Sequence, residues 1–190
     1  MRKTLISMVT TVAFVSTAFA HTGVGQATTF ASGIAHPLHG ADHIITMLAV
    51  GIWAVLVGGR AIVVWPTVFV ATMLAGFAAA TLGLHVPFVE PAILSSVIIL
   101  GVLIALSVNA PIWLGAVIIG LFAFFHGHVH GTEATAAGLI PYAAGFAVAT
   151  AALHVAGIAL GISATKSFGK LAIRTLGGAA ALAGIALIAT

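Results

Sequence analysis

Residues 125–133 read FHGHVHGTE, which puts His126, His128, His130 and Glu133 within nine positions. Residues 36–47 read HPLHGADHIITM and hold His36, His39, Asp42, His43 and Met47. Neutral imidazole is a borderline ligand that suits nickel, cobalt, copper and zinc, and a carboxylate offsets the charge of a divalent ion. The chain has no cysteine, which excludes disulfides, iron–sulfur clusters and thiolate metal sites. A histidine-rich site without thiolates fits an ion that must bind and then leave.

The rest of the chain explains why these stretches stand out. It is 62% hydrophobic and 5% charged, with a mean hydropathy of +1.27. Asp42, Glu90 and Glu133 are the three acids, set against six Lys and Arg. So few charges cannot solvate a 190-residue surface, so apolar side chains must face lipid. The pI near 10.0 reflects that small surplus of cations and does not indicate nucleic acid. Histidine is the exception, at nine residues. Asp, Lys and Arg inside a membrane cost roughly 2.5–3.5 kcal/mol each on insertion scales, so ionisable residues there mark function.

Helices must position these groups. At about 100° per residue, His36, His39, His43 and Met47 fall on one helical face. Asp42 lies off that face, where it can orient a histidine or bind from the side. Pro37 suits a first turn. His126, His130 and Glu133 share a face if their helix continues, and His128 then points away. Gly127 and Gly131 offer a place to unwind and bring His128 back.

The N-terminus reads as a secretory signal. Met1-Arg2-Lys3 is a basic start, Leu5 to Val15 an apolar run, and Ala18-Phe19-Ala20 a cleavage motif that leaves His21 as the first mature residue. Six apolar runs follow: Leu38–Val57, Ala61–Leu84, Ala92–Val108, Ile112–Phe125, Leu139–Ile162 and Leu171–Ala189. A span needs about 20 residues, so the fourth is short unless it runs on through the histidine cluster. The expectation is an all-α polytopic membrane protein: a signal peptide at 1–20, then a single domain of six transmembrane helices at 21–190. There is no internal repeat. With the mature N-terminus outside, Arg60, Lys166, Lys170 and Arg174 all fall on the inner side, as the positive-inside rule expects. Both histidine clusters then lie near the periplasmic face of a bacterial inner membrane. Of the remaining histidines, His154 reads as a hydrogen-bonded packing residue. His85, with Glu90, reads as a solvated outer loop. His21 can chelate only after cleavage.

Both motifs resemble those of the HupE/UreJ family of bacterial nickel permeases. That family carries HPLxGxDHxxxM on its first helix, where this chain has HPLHGADHIITM. It carries FHGxAHGxE on its fourth, where this chain has FHGHVHGTE. The single departure is Val129 for alanine, a small apolar exchange. The leader and six further spans match as well. The resemblance implies uptake of nickel, with cobalt as the second candidate, linked to hydrogenase or urease maturation. Its motif residues fall on His36, Asp42, His43, Met47, His126, His130 and Glu133. His39 and His128 occupy variable positions.

The mechanism expected is secondary transport, with Ni²⁺ or Co²⁺ as substrate and no permanent cofactor. No G-x-x-x-x-G-K-[ST] motif is present for ATP. The membrane potential favours inward movement of a divalent cation by about 4.6 kcal/mol per 100 mV. Histidine ligation predicts weaker uptake below about pH 6, because imidazolium cannot bind metal. The rival readings are a histidine-box membrane metalloenzyme, built on His39-x-x-x-His43 and the His126/His128/His130 run, and a metal-binding subunit that does not transport.

Overall fold

Apolar runs in lipid have no water to satisfy their backbone, so each must close its own hydrogen bonds as a helix. Helices are what form in the computed structural model, which describes residues 29–189. The expected signal peptide, its cleavage site and His21 lie outside the described residues. In order come α1 (Phe30–Ala35), a 3₁₀ turn at His36–Leu38, α2 (Ala41–Val57), α3 (Ala61–Thr81), α4 (Val89–Ala105) and α5 (Ile112–Glu133). A second 3₁₀ turn at Ala136–Gly138 leads into α6 (Leu139–Phe168), and α7 (Lys170–Ile188) ends the bundle. No strand forms among the described residues.

Helices α3, α5, α6 and α7 are long and apolar enough to cross a membrane, and α1 with its turn plus α2 makes a fifth if that bent pair counts as one span. Helix α4 is an apolar helix of 17 residues.

Two expectations change. His36, His39, His43 and Met47 do not share one continuous helix. Gly40 leaves the helical region at φ −98°, ψ 118°, and α2 starts afresh behind it. The two segments meet at 85°. Pro37, which has no N–H to donate, sits in the first positions of the intervening 3₁₀ turn, behind His36. In α5 the outcome is the reverse. The fourth run gains its length by continuing as unbroken helix through the histidine cluster to Glu133. Gly127 and Gly131 do not unwind it. They let α3 approach, since a Cβ at Gly127 would strike the Met73 carbonyl and one at Gly131 the Phe77 backbone.

The helices pack chiefly as α3 along α5, α4 along α7 and α2 along α6, with α1 also on α6. Small residues make the α2–α6 seam: Gly51 lies against the His154 carbonyl and Gly157 against that of Leu48. The outward faces are apolar, as Trp113, Val117 and Leu121 on α5 and Leu182 and Ile185 on α7 illustrate. The starts of α2, α4 and α6 and the ends of α3, α5 and α7 share one end of the bundle. All three acids lie there, while Arg60, Lys166, Lys170 and Arg174 lie at the other. At that basic end Trp53 and Trp65 pack with ring centroids 4.4 Å apart and planes tilted by 40°, and each indole N–H donates to a backbone carbonyl, Val108 or Ile112, at 2.9 Å.

Candidate metal site

His36 reaches the site because α1 is held against α6. Thr29 and Ser32 form a capping box that starts α1. Gly33 then lies against the Tyr142 carbonyl, while Gly145 of α6 lies against the Phe30 carbonyl. Helices this close carry His36 over the end of α5. There its Nε2 stands 3.0 Å from Oε2 of Glu133. His130 Nδ1, one turn back along α5, is 3.5 Å from the same oxygen. One ligand atom from each of His36, His130 and Glu133 fits within 4.8 Å of the others.

His43 adds a third imidazole. Its ring centroid is 4.6 Å from that of His130 and 5.0 Å from that of His126. Asp42 sits beside it in the first turn of α2. One carboxylate oxygen accepts the His43 backbone N–H at 2.8 Å and the ring Nδ1–H at 2.7 Å. A carboxylate that holds Nδ1–H leaves Nε2 with its lone pair, the form a metal needs. His126 is prepared in the same way: its Nδ1–H donates to the Phe122 carbonyl at 2.9 Å, so Nε2 carries the lone pair. His43 Nε2, His126 Nε2 and His130 Nε2 are all buried without a hydrogen-bond partner. An unsatisfied buried polar group costs about 1–3 kcal/mol, so several in one place call for a ligand.

The other expected residues take different positions. His39 is exposed and donates to the Ala35 carbonyl at 2.7 Å, within its own turn. His128 points away from the cluster, as continuous helix requires, and its Nε2–H donates to the Leu84 carbonyl at 2.8 Å. It ties α5 to the α3–α4 connection. Met47, one turn inward of His43, is fully buried in the apolar core. His85 lines a cavity of about 460 Å³ between the α3–α4 connection and the end of α5. Glu90 is exposed in the first turn of α4.

Two contributors went unread in the sequence. Tyr142, the chain's single tyrosine, lies with its ring 5.9 Å from His36 and its hydroxyl buried without a partner. Phe146 packs its ring 4.2 Å from that of His130. Their four-residue spacing on α6 was the available signal, but it is equally the mark of an ordinary buried face. His154 also departs from expectation: it is buried, yet neither ring nitrogen is hydrogen-bonded.

The site therefore offers imidazole nitrogens from both motifs and one shared carboxylate, enclosed except for partly exposed His36 and Glu133. It can replace the waters of a divalent ion and offset its charge. Of the residues of a histidine box, by contrast, His39 and His128 are turned away to backbone carbonyls.

Sequence comparisons place the chain in a family. The family model described as HupE / UreJ protein matches residues 9–187. The chain is 44% identical over 174 residues to the protein described as Protein HupE of Rhizobium leguminosarum bv. viciae, covering 91% of each. No solved structure matches. A match over nearly the whole chain, both motifs included, leaves one assignment: the chain belongs to the HupE/UreJ family, permease-type membrane proteins associated with nickel and cobalt uptake, and is not an enzyme.

Proposed function

We propose that the protein is a secondary permease that carries Ni²⁺, or Co²⁺, from the periplasm across the bacterial inner membrane. The observation that carries this reading is the meeting of His36 Nε2 and Glu133 Oε2 at 3.0 Å, with His130 beside them. Two motifs far apart in sequence share one pocket there. His36, His43, His126 and His130 replace the waters of the incoming ion. Glu133 offsets its charge directly, and Asp42 does so through His43. Met47 waits one turn further in.

The orientation rests on the segregation of charge. Arg60, Lys166, Lys170 and Arg174 share the end opposite the histidines, so the positive-inside rule puts the site on the periplasmic side. Six spans complete the topology, counting the bent α1–α2 pair once and including α4, whose 17 residues rise about 25 Å against a hydrocarbon core of about 30 Å. The delivered ion then serves metalloenzyme maturation, hydrogenase or urease being the candidates.

Uptake of radiolabelled nickel into proteoliposomes holding the purified protein tests the reading. A binding subunit retains the ion without moving it, whereas a permease accumulates it in the lumen. His36→Ala, His43→Ala and His130→Ala should each bring uptake to background. Unchanged uptake in all three rejects the assignment.

A further inference from the structure

Below the site, α6 presents a buried stripe at four-residue spacing: Tyr142, Phe146, Thr150 and His154. The facing stripe on α3 is Phe77, Met73, Phe69 and Trp65. The first two members of the α6 stripe contact the histidine cluster. The third, Thr150, donates its hydroxyl to the Met73 sulfur at 3.5 Å. The fourth, His154, is 1% exposed and has no partner on either ring nitrogen. Its ring packs edge-on against Phe69 at 4.9 Å, and Phe69 packs against His126 at 5.7 Å.

A leucine or phenylalanine would fill this position without a desolvated imidazole, whose unmet hydrogen bonds are a cost to folding. The location bears on what the residue does. The contacts form a line from His126 through Phe69 to His154, and one turn beyond Phe69 on α3 comes Trp65, which packs with Trp53, both indoles fully buried at the basic end. Potential ligands thin out along that line. His36, His43, His126, His130 and Glu133 crowd the acidic end, the Met73 sulfur lies near the middle, and His154 comes last before the indoles.

We propose that His154 is an inner binding station for the translocated ion, which passes to it from His126 by way of the Met73 thioether. This rests on the permease reading above. Imidazole and thioether suit nickel, cobalt or copper, while magnesium and calcium need oxygen ligands. The inner station is therefore a second point of selection. It has fewer ligands than the outer cluster and no carboxylate, so it holds the ion more weakly. Conduction needs such a step, because each station must be left as well as entered.

The test uses the full chain with His154→Gln and His154→Phe. Nickel binding to detergent-purified protein reports the outer cluster, and initial uptake into proteoliposomes reports passage. Both variants should bind nickel as the wild type does while uptake falls by about tenfold or more. In a His36→Ala/His43→Ala/His126→Ala/His130→Ala/Glu133→Gln background, Co²⁺ should still give a weak visible absorption band that His154→Gln abolishes. A merely structural histidine leaves no such band to lose. Uptake within about threefold of wild type in either variant overturns the station, as does joint loss of binding and uptake. Wild-type liposomes that move no metal overturn the permease reading itself, an outcome distinct from variants that keep pace with a transporting wild type.

Discussion

The two ends of this bundle are built from buried aromatic nitrogen rings, and they use them in opposite ways. At the basic end Trp53 and Trp65 pack together, and each N–H donates to a carbonyl at 2.9 Å. Both indole donors are satisfied, and the pair locks α2, α3 and the start of α5 together. At the acidic end His43, His126 and His130 are equally buried, yet each leaves its Nε2 without a partner. His43 and His126 have one nitrogen fixed by Asp42 or Phe122, which selects the ring form and points the other nitrogen inward. Satisfied rings make a structural element. Rings that keep an unpartnered nitrogen turned toward one another leave that nitrogen free to bind an ion, as the proposed site requires.

The comparison breaks most directly at Glu133. Glu133→Gln keeps the shape of the side chain but removes the charge facing His36 and His130. Nickel uptake should fall to background while the purified protein stays monodisperse. Asp42→Asn comes next. It replaces the charged acceptor of His43 Nδ1–H with a neutral amide, and metal affinity measured by titration should drop about 10–100-fold, the usual cost of changing an outer partner of a ligating histidine.

Gly127→Ala tests the scaffold. The new methyl collides with the Met73 carbonyl of α3, so thermal unfolding in detergent should show a loss of about 1–3 kcal/mol or more. Trp53→Phe belongs to the other end: losing one hydrogen bond to Val108 should cost about 1 kcal/mol of stability and leave nickel binding at the histidine end unchanged. The smallest effect is expected at His39, which is exposed and bonded within its own turn. His39→Ala should take up nickel within about twofold of wild type, since surface changes usually cost under 0.5 kcal/mol.

Much of this was legible beforehand. The predicted runs Ala61–Leu84, Leu139–Ile162 and Leu171–Ala189 overlap α3, α6 and α7, because glycines break the apolar sequence at Gly58-Gly59, Gly83, Gly138 and Gly169. The direction of His128 followed from helical geometry once α5 was taken as continuous. The geometry of the first motif was not legible. A periodicity argument treats residues 36–47 as one helix, and nothing in period alone reveals that Gly40 takes an extended conformation. His154 was misread for a related reason: isolated in sequence, it has no neighbour that would betray an unpartnered ring.

The sequence by itself determined that this chain lives in lipid, that six of its nine histidines and two of its three acids gather in two motifs, and which class of ion such ligands suit. These are matters of composition and ligand chemistry, fixed residue by residue. Which histidines meet was decided only by the tertiary structure. The 85° bend before α2 and the glycine seams among α1, α2 and α6 and between α3 and α5 bring His36 to Glu133 and turn His39 outward. Close approach between helices depends on both partners at once, and neither sequence stretch alone contains it.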